Sequence, residues 1–208
     1  MKYITLAIVA LVSIFNLSAQ VIVDSDITLE QALVGTLAPD HIVDSLTIVD
    51  VEYYSDDDKL HRGQIVIHTL LEGDIVELFS FIKERRIPIM MVVPIKFDLP
   101  DGNTTMASLN NTYGFHYRHI NGSTRLSNHS FGHAIDINPF DNPYISTSGM
   151  VLPQGGEYSP QTNPRSLCRE SALVQKFVEL GWTWGGNWES PKDYMHFEKK
   201  LICNLYSE

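Results

Sequence analysis

Ser127-Asn128-His129-Ser130-Phe131-Gly132-His133-Ala134-Ile135-Asp136-Ile137 is the stretch on which the fold turns. In its second half Ala134, Asp136 and Asn138 alternate with Ile135 and Ile137, the period-2 pattern of a half-buried strand. Such a strand sends both isoleucines into a core and carries Asp136 on the opposite face. His129 lies seven positions before Asp136, with Gly132 between them. Further on, Asp193-Tyr194-Met195-His196-Phe197-Glu198 offers another imidazole with a carboxylate three positions ahead of it. Two imidazoles and one carboxylate make a tetrahedral zinc site with an open fourth position for water, the catalytic rather than the structural arrangement. A second carboxylate nearby can accept the proton of that water.

On the residues alone, several choices stay open. The chain has eight histidines, and His133 competes as a ligand because His129-x-x-x-His133 would share a helical face. Gly132 and the strand pattern after it disfavour a helix there. Asp193 and His196 are an odd number apart, so a continuous strand would point them to opposite faces. For both to reach one metal, the chain must bend near Tyr194 or the strand must begin after Asp193. Glu198 shares the face of His196 in a strand, which makes it either the alternative base or a partner that orients a ligand imidazole. Arg118 and Arg125 precede the first ligand in a polar stretch, and a guanidinium there can bind a peptide carboxylate or a developing oxyanion. Ser127 is expected to brace the loop and not to act as a nucleophile, since no base stands at a recognisable spacing. Trp182, Trp184 and Trp188, with Gly185 and Gly186, suggest a wall of the cleft, against the plainer reading of core packing.

The motifs Ser-x-His-x-x-Gly-x-Ala-x-Asp-Ile and Asp-x-x-His-Phe resemble the zinc D-alanyl-D-alanine carboxypeptidase and L-alanyl-D-glutamate peptidase family. That family belongs to the superfamily of lysostaphin, the D-Ala-D-Ala carboxypeptidases and hedgehog. The similarity extends to the run from Asn110-Asn111-Thr112 to Tyr117-Arg118, to the Asn138-Pro139 and Asn142-Pro143 pairs, and to Gly181-Trp182-Thr183-Trp184-Gly185-Gly186-Asn187-Trp188, covering roughly residues 60–198. The resemblance implies one zinc ion held by His129, Asp136 and His196, with Asp193 as catalytic base and Arg118 as clamp. Ser127, Glu198, Trp184 and Arg125 then take supporting or substrate-facing roles. It implies an exported hydrolase acting on peptidoglycan stem peptides. Two other readings remain beside it: an inactive zinc-binding recognition module, as in the hedgehog branch, and an exported peptidase acting on other peptides.

The rest of the chain frames this expectation. Lys2 followed by an apolar run over residues 4–15 reads as a secretory signal peptide ending near residue 20. The run is short for a bilayer span, and residues 21–208 make one domain, expected to be a periplasmic or secreted monomer. Removing Lys2 takes the formal net charge from −10 to −11. Such acidity disfavours nucleic acid or an anionic membrane surface as partner. Cys168 and Cys203 fit one disulfide in an exported protein, with two separate buried thiols as the alternative.

The predicted elements are a strand over residues 64–70 and an amphipathic helix with Ile75, Leu78, Phe79 and Ile82 at i, i+3, i+4 and i+7. A second strand is expected over 89–95 and polar loops over 98–130 and 139–166. A last helix through Leu173, Phe177 and Leu180 should stop at Gly181, followed by short strands near 182–184 and 195–199. The expected fold is α+β: a small, mainly antiparallel sheet carrying the zinc site, helices on its other face, and long polar loops.

Overall fold

The computed structural model describes residues 21–95 and 107–201. The predicted signal peptide and Cys203 lie outside these residues. Cys168 is half-buried, and the expected bridge to Cys203 therefore cannot be traced among the described residues.

The largest element is a hairpin of two antiparallel strands, Leu46–Tyr54 and Leu60–His68. Ile22–Val23 adds in parallel to the outer edge of the second strand. Alternation along the first strand sorts its side chains: Val49, Val51 and Tyr53 enter the main core, while Leu46 and Ile48 face a smaller cluster. Their cross-strand partners follow suit, so Ile65 opposite Val49 joins the main core and Val66 opposite Ile48 joins the smaller one. That smaller cluster is closed by Ala32, Leu33 and Ile42 from two short N-terminal helices and by Phe115. The Leu46–Tyr54 strand and the two short N-terminal helices have no counterpart among the elements expected from the sequence.

The expected helix forms over Glu72–Glu84, with Ile75, Leu78, Phe79 and Ile82 buried and Glu72 and Asp74 in its first turn. The last helix, Ala172–Glu179, buries Leu173, Val174 and Phe177. Gly181 follows it at φ +84°, while Trp182 N–H reaches back 2.9 Å to the Phe177 carbonyl.

Between these helices a three-stranded antiparallel sheet runs in the order Ala134–Asp136, His196–Glu198, Thr183–Trp184. Ile135, Ile137, Phe197 and Trp184 leave its inner face and share one core with the helices and the long hairpin. Each fully buried residue of this kind contributes about 1.5–3 kcal/mol, so the sheet that carries the candidate site is anchored by the largest cluster in the fold. The 89–95 segment pairs only over Met91–Val92, parallel to Asn111–Thr112. Pro88 and Pro94 bracket it, and side chains take the donors of a would-be ladder: Met90 N–H goes to Asn138, Val92 N–H to the Tyr53 hydroxyl and Val93 N–H to Asn111.

Among the described residues no helix is long and apolar enough to cross a membrane.

Candidate metal centre

His129 sits on a short 3-10 turn, Asn128–Phe131, entered through Ser127, whose Oγ accepts the His129 N–H at 3.3 Å. The turn leaves through Gly132 at φ +65°, where a Cβ would lie 2.5 Å from the backbone nitrogen of His68. That His68 N–H donates to the Gly132 carbonyl at 3.0 Å, so only glycine permits both the left-handed turn and the close approach. Ser130 Oγ accepts from Arg118 N–H at 2.9 Å and donates to the Arg118 carbonyl at 2.7 Å, tying the turn to the segment before it.

Asp136 and His196 are directly opposite each other in the antiparallel ladder, which puts their side chains on one face. His129 reaches the same point from its turn. His129 Nε2, Asp136 Oδ1 and His196 Nδ1 form a triangle with every side 3.1 Å, and all three residues are buried. Donors about 2.0–2.1 Å from a common tetrahedral ion stand roughly 3.3–3.4 Å apart, so the triangle has the size of a metal site.

Its chemistry agrees. His129 Nδ1 lies 2.6 Å from the Gly114 carbonyl and so donates to it, leaving the Nε2 lone pair directed at the centre. His196 Nε2 lies 3.0 Å from Glu198 Oε2, which in turn accepts from Asn128 Nδ2 at 2.6 Å. With that carboxylate taking its Nε2 proton, His196 likewise aims a lone pair inward. Two lone pairs and a carboxylate that converge away from water call for a cation. Burial alone would raise the Asp136 carboxyl, but His129 and His196 more than reverse this and hold it well below the usual range. Burial disfavours charge on His196, yet Asp136 and Glu198 outweigh it and put the metal-free imidazole at about 10. Without a cation, the centre therefore holds a proton in its place.

Asp193 reaches this centre from a different sheet. Lys192–Asp193 pairs with Tyr144–Ile145, and the chain then crosses at Tyr194-Met195 to enter the strand of His196. This crossing is the bend that the odd spacing required. Gly185 lies against Asp193, where a Cβ would come within 2.6 Å of the Asp193 carbonyl oxygen. Asp193 Oδ1 is sealed from solvent with no hydrogen-bond partner. Burial is the main cause that lifts its carboxyl to about 7; His196 opposes the shift and the charge of Asp136 adds to it. A half-buried carboxyl with one sealed, unpartnered oxygen that titrates near neutrality beside the triangle is suited to taking up a proton.

The other candidates separate clearly. Arg118 is half-buried and close enough for its charge to act on Asp193, whereas Arg125 is exposed beside the His119–Leu126 bridge that closes the 119–126 loop. His133 stays out of the triangle and packs against His68 with ring centroids 5.0 Å apart. Trp184 is a core residue rather than a cleft wall, its indole N–H holding the Tyr194 carbonyl at 2.9 Å. Trp182 is also buried, its indole N–H on Asp74. Of the three tryptophans Trp188 alone is exposed, its ring 5.6 Å from that of His196. Tyr113 and Gly114 stand opposite Asp136 and behind His129; they lie in the 110–118 run that carries the resemblance, but a lone tyrosine and glycine have no spacing signal that would assign them a role.

A family model described as D-alanyl-D-alanine carboxypeptidase matches residues 121–199. The matched stretch contains the triangle, Asp193 and Glu198, and begins just after Arg118 and Tyr113. It supports the family that the motifs resemble. No curated protein and no solved structure matches the chain.

Proposed function

Because residues 121–199 match a family model described as D-alanyl-D-alanine carboxypeptidase, we propose that the protein is an exported zinc metallopeptidase that hydrolyses peptide bonds in peptidoglycan stem peptides. The observation that carries this reading is the 3.1 Å triangle of His129, Asp136 and His196 with Asp193, one carboxylate oxygen sealed and unpartnered, beside it.

Zinc bound by the three donors would supply Lewis acidity and bring water's pKa to about 7. The chain's own residues do the rest. Asp193 takes the proton of the attacking water and delivers it to the leaving amine. Arg118 holds the substrate by a carboxylate or steadies negative charge at the scissile carbonyl. Glu198 keeps His196 in the tautomer that leaves Nδ1 free. Export is supported by Lys2 and the apolar run after it.

A recognition module that merely binds zinc would have no use for a carboxyl with a sealed, unpartnered oxygen, lifted to about 7. Incubating the zinc-loaded protein with purified stem peptides and weighing the fragments by mass spectrometry tests the proposal. A defined cleavage supports it and names the bond; intact peptides at full zinc occupancy contradict it.

A further inference from the structure

Solvent reaches the metal triangle mainly over His196. The side chains of His129 and Asp136 are 0 % and 3 % exposed, while that of His196 keeps 8 %. A substrate carbonyl that is to meet the centre therefore comes in on the His196 side. Trp188 stands at that opening, its ring 5.6 Å from the His196 imidazole and tilted 52° to it. Of the three tryptophans expected at the cleft, Trp182 and Trp184 belong to the main core, whereas Trp188 lies outside it and is 36 % exposed.

The indole is held there before any substrate arrives. Trp188 follows the 3-10 turn Gly185–Asn187 and donates its N–H to the Gly185 carbonyl at 3.2 Å. That turn is fixed on three sides. Gly185 packs on Asp193, Gly186 lies so close to Trp184 that a Cβ would stand 2.3 Å from its ring, and Lys192 Nζ donates to the Gly186 carbonyl at 3.2 Å. One clamped turn therefore rests on the candidate base and carries an exposed indole to a candidate ligand.

The indole N–H groups of Trp182 and Trp184 are spent on Asp74 and on the Tyr194 carbonyl, while that of Trp188 has no partner among the described residues. An exposed indole of this kind adds little to the core. It offers instead a flat apolar face with a donor at its rim, which suits a peptide plane bearing a small alkyl side chain. The 5.6 Å from its ring to that of His196 is less than two residues of extended chain, at about 3.3–3.6 Å each. A peptide with its scissile carbonyl over the triangle thus brings a residue next to the cut bond within reach of the ring.

We propose that Trp188 is a substrate-binding platform of the peptidase, its indole face packing on the uncharged backbone and alanyl-sized side chain of a stem-peptide residue beside the scissile bond. The inference rests on the peptidase reading above.

Two measurements test it. In the first, zinc-loaded Asp193→Asn, which keeps Trp188, is titrated with a stem pentapeptide ending in D-Ala-D-Ala. Calorimetry reports binding, and acrylamide quenching of tryptophan fluorescence is read with and without the peptide. Trp182 and Trp184 are buried, so the quenchable emission is that of Trp188, and bound peptide is expected to remove most of the quenching. In the second, Trp188→Ala and Trp188→Phe are compared with the wild type on the same peptide at saturating zinc. KM is expected to rise about 10–100-fold in Trp188→Ala, the cost of losing an aromatic anchor, and less in Trp188→Phe. Both variants should keep kcat and melting temperature near wild type. Peptide that binds and leaves the quenching unchanged would overturn the inference and leave the peptidase reading standing. A wild-type KM in Trp188→Ala at saturating zinc would do the same, whatever its zinc affinity, since Trp188 would then only shield His196. A wild type that neither binds nor cleaves the pentapeptide would overturn the peptidase reading, and this inference with it.

Discussion

Glu198 Oε2 stands 3.0 Å from His196 Nε2, on the side of the imidazole away from the Asp136–His129 pair. The two residues lie two apart on the same strand, so the ladder that aims His196 at the centre also supplies the carboxylate that orients it. Removing such a partner typically costs 10–100-fold in metal affinity or activity. Glu198→Gln is therefore expected to weaken zinc binding about 10–100-fold, read by competition with a chelating dye, while turnover at saturating zinc stays within about tenfold of wild type.

Replacing any corner of the triangle should do more. His129→Ala, Asp136→Ala or His196→Ala leaves two donors and an unmatched pocket, and each is expected to strip most of the metal from a protein that otherwise binds one ion. Elemental analysis after dialysis checks this. A His196→Ala protein that kept stoichiometric zinc would remove His196 from the ligand set.

Metal and proton compete for one place, which gives a pH signature. The metal-free His196 titrates at about 10 against about 6.5 in an unfolded chain. Its contribution to stability is complete below about 6.5 and is lost as pH rises through about 10. Asp193, lifted to about 7, removes further stability as pH climbs from about 4 to 7, because the folded state disfavours its charge. The melting temperature of the chelator-treated protein should therefore fall as pH rises into the alkaline range. Zinc should flatten the His196 part of that slope, and its binding at pH 7 should release protons, measurable by calorimetry in buffers of different ionisation heat.

Gly132 offers a test of the scaffold. Alanine at φ +65° costs about 1–3 kcal/mol in backbone strain alone, and its Cβ would press to 2.5 Å from His68 N. Gly132→Ala is expected to lower stability in urea by at least that amount and to weaken zinc binding, since the same turn carries His129.

Much of the candidate site was legible because zinc chemistry restricts residue type and spacing together. His129 and Asp136 flank a glycine, and the isoleucine alternation fixed which face Asp136 takes. The helix through Ile75 and Ile82 was equally plain from its period. The Leu46–Tyr54 strand was not: Val49, Val51 and Tyr53 alternate with Asp50 and Glu52, but acidic residues are depleted in strands and weaken the signal. The 89–95 strand was overcalled because an apolar run cannot show that Asn111, Asn138 and Tyr53 take its hydrogen-bonding positions. Tyr113 lies in the stretch that carries the resemblance, but its place opposite Asp136 was invisible for a related reason. It is set by an isolated bridge to a residue more than twenty positions away, and no local period announces such a contact.

The central claim is that Asp193 moves the proton while His129, Asp136 and His196 hold the metal, and one comparison tests it most directly. Wild type, Asp193→Asn and Glu198→Gln are brought to equal zinc occupancy, and kcat is measured by mass spectrometry on the stem peptide that the wild type cleaves. The account predicts that Asp193→Asn keeps its zinc and loses at least about 10²–10⁴-fold in kcat, the range for a general acid–base group, while Glu198→Gln loses far less. A near-normal rate in the Asp193 variant beside a dead Glu198 variant would contradict it.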